Sequence, residues 1–146
     1  MTDEADLREL IAKQAIRESI YKYCKAVDAI DRGLGVSIWA PNATVNYGPI
    51  FEGLATEFIE RVCNEHAGME AHSHQIANVL IEFDPDAQTA HSESYVTATL
   101  RDARDGFRQD RTIRGRYQDQ WVSKDGRWLI THRRFVHDLT TLTPAP

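Results

Sequence analysis

The chain has 146 residues, 42% of them apolar, with a net charge of −5 at neutral pH. That length supports one domain with a real core, and a mean hydropathy of −0.47 with a pI of about 5.6 describes a globular, acidic protein. Such a surface does not attract nucleic acid or anionic lipid, so neither is an expected partner. No apolar run reaches the roughly 20 residues that cross a bilayer, and the polar stretch from Met1 to Leu10 does not read as a signal peptide.

Leu7, Leu10 and Ile11 lead into Ile16, Ile20, Tyr23, Cys24 and Val27, the spacing of an amphipathic helix. The pattern predicts that helix from about Ala5 to Asp31. Asp3, Glu4 and Asp6 suit the positive end of its dipole, and Gly33 and Gly35 are expected to end it. A short helical turn over 36–40 should bury Trp39. Ala43 to Tyr47 reads as a short strand, Gly48-Pro49 as a turn and Phe51 to Gly53 as the return. Thr56 to His66 forms a second helical pattern with Phe58, Ile59, Val62 and Cys63 on its apolar side.

After Gly68 the period changes to two. Strands are expected at His72 to Phe83, Thr89 to Arg101, Arg108 to Val122 and Arg127 to Leu139. Asp84-Pro85-Asp86, the stretch Asp102 to Gly106, and Lys124-Asp125-Gly126 mark the turns. Thr140 to Pro146 reads as a loose tail. Helices followed by an antiparallel meander imply a single α+β domain, with the helices on one face of a curved sheet. The last strand is apolar on both sides: Trp128, Ile130 and Val136 on one, Leu129, Phe135 and Leu139 on the other. A half-solvated sheet should alternate, so the outer face is expected to be covered in a homodimer or homotrimer. Cys24 and Cys63 have no CxxC spacing and read as buried, reduced thiols, pointing to the cytoplasm.

The chain has no phosphate loop, thiolate cluster or nucleophile elbow. Its most economical catalytic set is Asp28, at the apolar end of the first helix, and His74, opening the first long strand with Ile76, Asn78 and Leu80 on its face. A carboxylate that orients an imidazole makes a general base. Taken singly, Asp28 equally suits a surface helix position, and His74 a packed strand histidine. His72 and His74 form an HxH pair, with His91, His132 and His137 as further imidazoles, but no glutamate stands at a diagnostic metal-site spacing, and no metal is expected. Arg133 lies among apolar residues and must be paired or bind an anion. Arg134 reads as a rim charge, and Arg111, Arg114 and Arg116 as exposed strand surface.

The ordered segments AIRESIYKYCKAVD, SIWAPNATVNYG, HSHQIANVLIEFD and RGRYQDQWVSKDGRWLITHRRF resemble the SnoaL-like branch of the NTF2-like superfamily, over about Leu7 to Asp138. The resemblance implies a cone-shaped α+β barrel: a curved antiparallel sheet wrapped around helices and a deep apolar cavity. It also implies a cofactor-free enzyme on a small hydrophobic substrate, since the branch includes scytalone dehydratase, hexachlorocyclohexane dehydrochlorinase and bile acid 7α-dehydratase. Asp28 and His74 match the Asp–His dyad of such enzymes, with Asn78 completing a His-x-x-x-Asn strand. Tyr23 matches a catalytic tyrosine of the bile acid enzyme. Arg133 matches an arginine of the dehydrochlorinase cavity, and Trp39 a cavity aromatic. Phe135 joins Trp39 and Asn78 as expected substrate contacts. The second acid of the bile acid enzyme would fall near Glu93 or Thr97. The expectation is a lyase acting by β-elimination, with His74 as base, Asp28 orienting it, and Tyr23 and Arg133 stabilising negative charge. An isomerase or cyclase with the same base, or a non-catalytic binding or oxygenase accessory subunit, are the alternatives.

Overall fold

A computed structural model describes residues 3–104 and 106–146. Helix α1 (Glu4–Ala29) starts where the Asp3 side chain accepts a hydrogen bond from the Ala5 amide, with Glu4 and Asp6 in its first turn. It buries Ala12, Ile16, Ile20, Tyr23, Cys24, Ala26 and Val27. It ends at Ile30, in the left-handed region at φ 55°, and not at the glycines. Gly33 and Gly35 instead lie inside α2 (Arg32–Ser37), which Asp31 caps through the Leu34 amide. Gly35 is there for closeness: a Cβ would stand 3.0 Å from Ile59 of α3 (Ala55–Ala67).

Trp39 begins strand β1 (Trp39–Asn46) and is not in a helical turn. β1 pairs antiparallel with β2 (Glu52–Leu54) and parallel with the last strand, β6 (Arg127–Pro144). With β3 (Ala71–Asp84), β4 (Thr89–Arg104) and β5 (Phe107–Lys124) the sheet order is β2-β1-β6-β5-β4-β3. The sheet is therefore mixed, curled and unclosed, with one parallel pair where a wholly antiparallel sheet is expected. The expected loose tail is strand: Thr140 to Pro144 pair with Gln109 to Ile113. Of the expected turn over 102–106, Asp105 lies outside the described residues, and β4 runs on to Arg104.

Three β-bulges decide which side chains enter the cone. In β3 the register shifts between Ile76 and Val79. His72, His74 and Ile76 face inward before it, and Val79, Ile81 and Phe83 after it. Asn78 and Leu80 thereby leave the face of His74, and Leu80 is 67% exposed. In β6 a shift after Ile130 puts Arg133 and Phe135 on the face of Ile130 and Trp128, not of Leu129. A second shift, at Asp138, brings Thr140 onto the face of His137. Phe135 thus joins Trp128 and Ile130 inside, while Leu129, Val136 and Leu139 share the outer face, so the strand stays apolar on both sides.

α1 packs on β3 and β6, and α3 closes the wide end against β1. The core between them holds Ile16, Ile20, Val27, Val45, Ile59 and Ile130, all at most 1% exposed. Trp121 belongs to it because its indole N–H donates to Ser92 Oγ at 2.8 Å. Cys24 and Cys63 are free and buried. Among the described residues no helix is long and apolar enough to cross a membrane.

Gly115, on β5, is the most tightly packed of the glycines described. A Cβ there would meet the Phe135 ring and come 2.5 Å from the Val136 carbonyl oxygen. A backbone oxygen cannot swing aside as a side chain does. Gly115→Ala is expected to destabilise the fold by about 1–3 kcal/mol, read as a lowered urea midpoint at unchanged m-value.

Candidate active site

The inner faces of β4, β5 and β6, with α1, α3 and the turn after β1, enclose a cavity of about 640 Å³. Its wall is aromatic and aliphatic, with Tyr23, Tyr47, Phe58, Tyr117, Val96 and Phe135 prominent. His66 and His74 also line it, while Ile50, Arg111, His137 and Thr140 stand toward its open end.

Asp28, in the last turn of α1, reaches across to the start of β3. Its Oδ1 lies 2.8 Å from His74 Nδ1, and its Oδ2 accepts the His74 backbone N–H at 3.0 Å. One carboxylate thus fixes both the ring and the main chain of the same residue. The contact puts the imidazole proton on Nδ1 and leaves Nε2 as the free nitrogen. The His74 side chain is 6% exposed and that of Asp28 29%, so the acid sits behind the imidazole, at the solvent side. Burial pushes the Asp28 carboxyl up, but the two His74 hydrogen bonds and the His74 charge outweigh it and hold the group below its ordinary value. His72 Nδ1 is 3.6 Å from Asp28 Oδ1, too far for a hydrogen bond.

Arg133 is fully buried and paired in fork geometry with Asp119, at 2.7 and 2.9 Å. Its guanidinium lies over Tyr117 at 3.9 Å, Tyr23 at 4.4 Å and Trp39 at 5.3 Å. The charge therefore sits behind the tyrosines, not at the cavity surface. Tyr23 and Tyr47 join hydroxyls at 3.2 Å, and Tyr47 is stacked between Phe58 and Phe135, with ring centroids 4.1 and 5.3 Å away. Burial raises both phenols, and the Arg133 charge opposes it. Both stay protonated and able to donate. Burial pushes the Cys24 thiol up to about 12, which makes it no nucleophile.

Of the residues expected from sequence, His74, Tyr23 and Phe135 line this cavity, and Asp28 stands behind His74. Arg133 and Trp39 form the layer behind it, Trp39 edge-on to Tyr23 at 6.4 Å. Asn78 is exposed beyond the β3 bulge and does not reach the cavity. Glu93 and Thr97 lie on the outer face of β4, between the inward Ser92, Ser94, Val96 and Ala98. Glu93 there accepts from Gln118 Nε2 at 2.8 Å. Arg111 is not plain surface: it shares the inward parity of Ile113 and Tyr117, reaches the cavity and bonds Asp102 at 3.0 Å. Arg116 pairs outward with Asp138 at 2.9 Å.

Tyr47, Asp119 and His66 escaped the sequence reading, yet each left a sign. Asp119 falls in the inward series Gly115, Tyr117, Asp119, Trp121, where an acid needs a cation. His66 extends the stripe of Phe58, Val62 and Cys63 on α3 and is 5% exposed. Burial, then the neighbouring His74 and His72, push it down to about 4.

The SnoaL-like domain family model matches residues 8–134. The chain belongs to the SnoaL-like family. Among curated proteins none matches this SnoaL-like chain by sequence. Solved structures do match it by shape. A hexachlorocyclohexane dehydrochlorinase (LinA-type3) from Novosphingobium barchaimii LL02 is 20% identical, with 94% of each chain covered and a TM-score of 0.82. A candidate scytalone dehydratase from Novosphingobium aromaticivorans DSM 12444 is 23% identical, with 91% of this chain and 88% of the other covered and a TM-score of 0.80. A candidate aromatic ring hydroxylase from Novosphingobium aromaticivorans is 22% identical, covering 90% and 92%, at a TM-score of 0.72. At these identities the likeness is one of fold.

Three stability tests follow from the electrostatics of these buried and exposed groups. Asp119→Ala leaves a guanidinium buried and unpaired, and is expected to cost about 3–5 kcal/mol in urea unfolding. Arg61→Ala, which breaks an exposed pair with Glu65 at 2.8 Å, should cost only about 0.3–0.5 kcal/mol. His66, held at about 4 in the fold against roughly 6.5 in the open chain, refuses a proton that the unfolded state accepts. Its contribution to stability is present above pH 6.5 or so and is lost as pH falls toward 4. His66→Gln is expected to flatten the fall in melting temperature across that window, followed by circular dichroism.

Proposed function

We propose that this SnoaL-like protein is a cofactor-independent lyase. It removes water or another small fragment by β-elimination from a small, hydrophobic cyclic or aromatic substrate. The observation that carries this reading is the 2.8 Å contact between Asp28 and a His74 ring that lines an apolar cavity. The cavity, at about 640 Å³, falls within the usual range for small-molecule sites.

His74 Nε2 takes a proton from the substrate. Asp28 keeps Nδ1 protonated and opposes the positive charge that forms on the ring. Tyr23 and Tyr47 share one hydrogen bond between their hydroxyls. Tyr47 donating to Tyr23 leaves the Tyr23 O–H free to donate to the oxygen on which negative charge collects, a donation that Arg133 strengthens through the Tyr23 ring it lies against. The aromatic wall keeps water from the carbanion. Rearrangement or cyclisation of the substrate would use the same groups, and product mass distinguishes these from elimination.

The test is a mass-read screen of hydroxylated aromatic, polycyclic and halogenated compounds. It is followed by kinetics of Asp28→Asn, His74→Ala and the double variant on whichever substrate is turned over. Each single change is expected to lower kcat by about 10²–10⁴-fold with an unchanged circular dichroism spectrum. The double variant should be little worse than either, because the two groups act as one unit. Additive losses would sink the dyad.

A further inference from the structure

His66 takes no part in the steps above, yet it stands at the reactive end of the cavity. It occupies the last turn of α3, and its ring meets that of His74 edge-on, with centroids 5.2 Å apart. His72 stacks against it at 5.1 Å. Its Nδ1 is buried and has no hydrogen-bond partner, while the side chain lines the cavity. Burying an N–H without an acceptor is costlier than burying a bare lone pair. The single proton of the neutral ring therefore belongs on Nε2. The low pKa given above keeps the ring neutral at pH 7. The charged or titratable groups around it are Asp28 on α1, His72 and His74 on β3, and Arg111 on β5.

We propose that His66 is a hydrogen-bond donor to the substrate, its Nε2–H directed at a carbonyl oxygen beside the carbon that His74 deprotonates. This rests on the lyase reading and narrows it to carbon acids made acidic by a ring ketone. In that step the proton passes from the α-carbon to His74 Nε2. The C–H electron pair becomes the enolate C=C, and the carbonyl π pair moves onto the oxygen, where His66 meets it without giving up its proton. When the carbonyl re-forms, the electron pair moves on to a new C=C and the β-hydroxyl is expelled. It leaves as water with the proton that His74 holds. Asp28 remains a carboxylate throughout. A neutral donor suits this arrangement because His74 becomes cationic, and a second cation with its ring centre 5.2 Å away would oppose that change. An uncharged N–H in a water-poor site still stabilises the oxyanion.

The experiment is deuterium uptake at the α-carbon of 2-tetralone in D₂O, read by mass, with the full chain, His66→Leu, His66→Gln and His74→Ala. Uptake reports deprotonation alone and needs no leaving group. Wild type should accelerate it over buffer. His66→Leu should lose about 10²-fold in kcat with a smaller change in KM, while His66→Gln, whose amide also donates, should stay within about tenfold of wild type. Loss in the glutamine variant with retention in the leucine variant marks a packing role and overturns the proposal, as does retention in both. A wild type that exchanges no ketone proton overturns it too. His74→Ala separates the two readings. If it exchanges like wild type, the dyad is wrong; if only it loses exchange, the dyad stands and the role of His66 falls. Nitrogen-15 spectra of the wild-type histidines at pH 7 give a check independent of any variant's folding. They should show His66 protonated on Nε2 alone, and a proton on Nδ1 overturns the assignment.

Discussion

A full positive charge lies at the centre of this small domain, and much of the architecture answers to it. Arg133 has no access to water. Desolvating it is tolerable only because Asp119 meets it in fork geometry and three aromatic faces surround it. That arrangement needs β5 and β6 in one register, with Arg133 opposite Asp119, and the register in turn needs the bulge after Ile130. Tyr23 and Tyr117 are held in place by the cation as much as by their hydrophobic neighbours. The cavity wall and the core are therefore one packing problem.

A second tie joins helix to sheet. Asp28 uses both oxygens on a single residue of β3, so the end of α1 and the start of that strand cannot drift apart without losing two hydrogen bonds. The left-handed turn at Ile30 stops the helix one residue beyond that last turn. The imidazole is placed by main-chain and side-chain anchoring together, which a loop-borne base would lack.

The two long helices and the four long strands were legible in the sequence because periodicity and turn chemistry are local signals. The meeting of Asp28 and His74 was expected too, but only through the resemblance and not from periodicity. What failed were matters of parity. A bulge inserts one residue without leaving a compositional mark, and every alternation argument beyond it then points the wrong way. That is why Asn78 reads as sharing the face of His74, and Phe135 as lying on the side of Leu129. The parallel pairing of β1 with β6 was invisible for another reason: it joins segments at opposite ends of the chain, and only tertiary packing sets it. Glycine was misread by the same locality. Gly33 and Gly35 look like a helix stop, but Gly35 is small so that α2 can lie against Ile59.

The contact between Gly115 and Phe135 has a consequence for the shape of the hollow. The phenyl ring rests directly on the backbone of the neighbouring strand, with no side chain between, and the same ring forms part of the cavity lining. Bulk cannot be traded between these two positions, because a Cβ at 115 would still stand 2.5 Å from the Val136 carbonyl oxygen whatever side chain occupied 135. The bare backbone of β5 is thus a fixed floor under the ring, and the hollow can be lengthened there only by shrinking the ring itself.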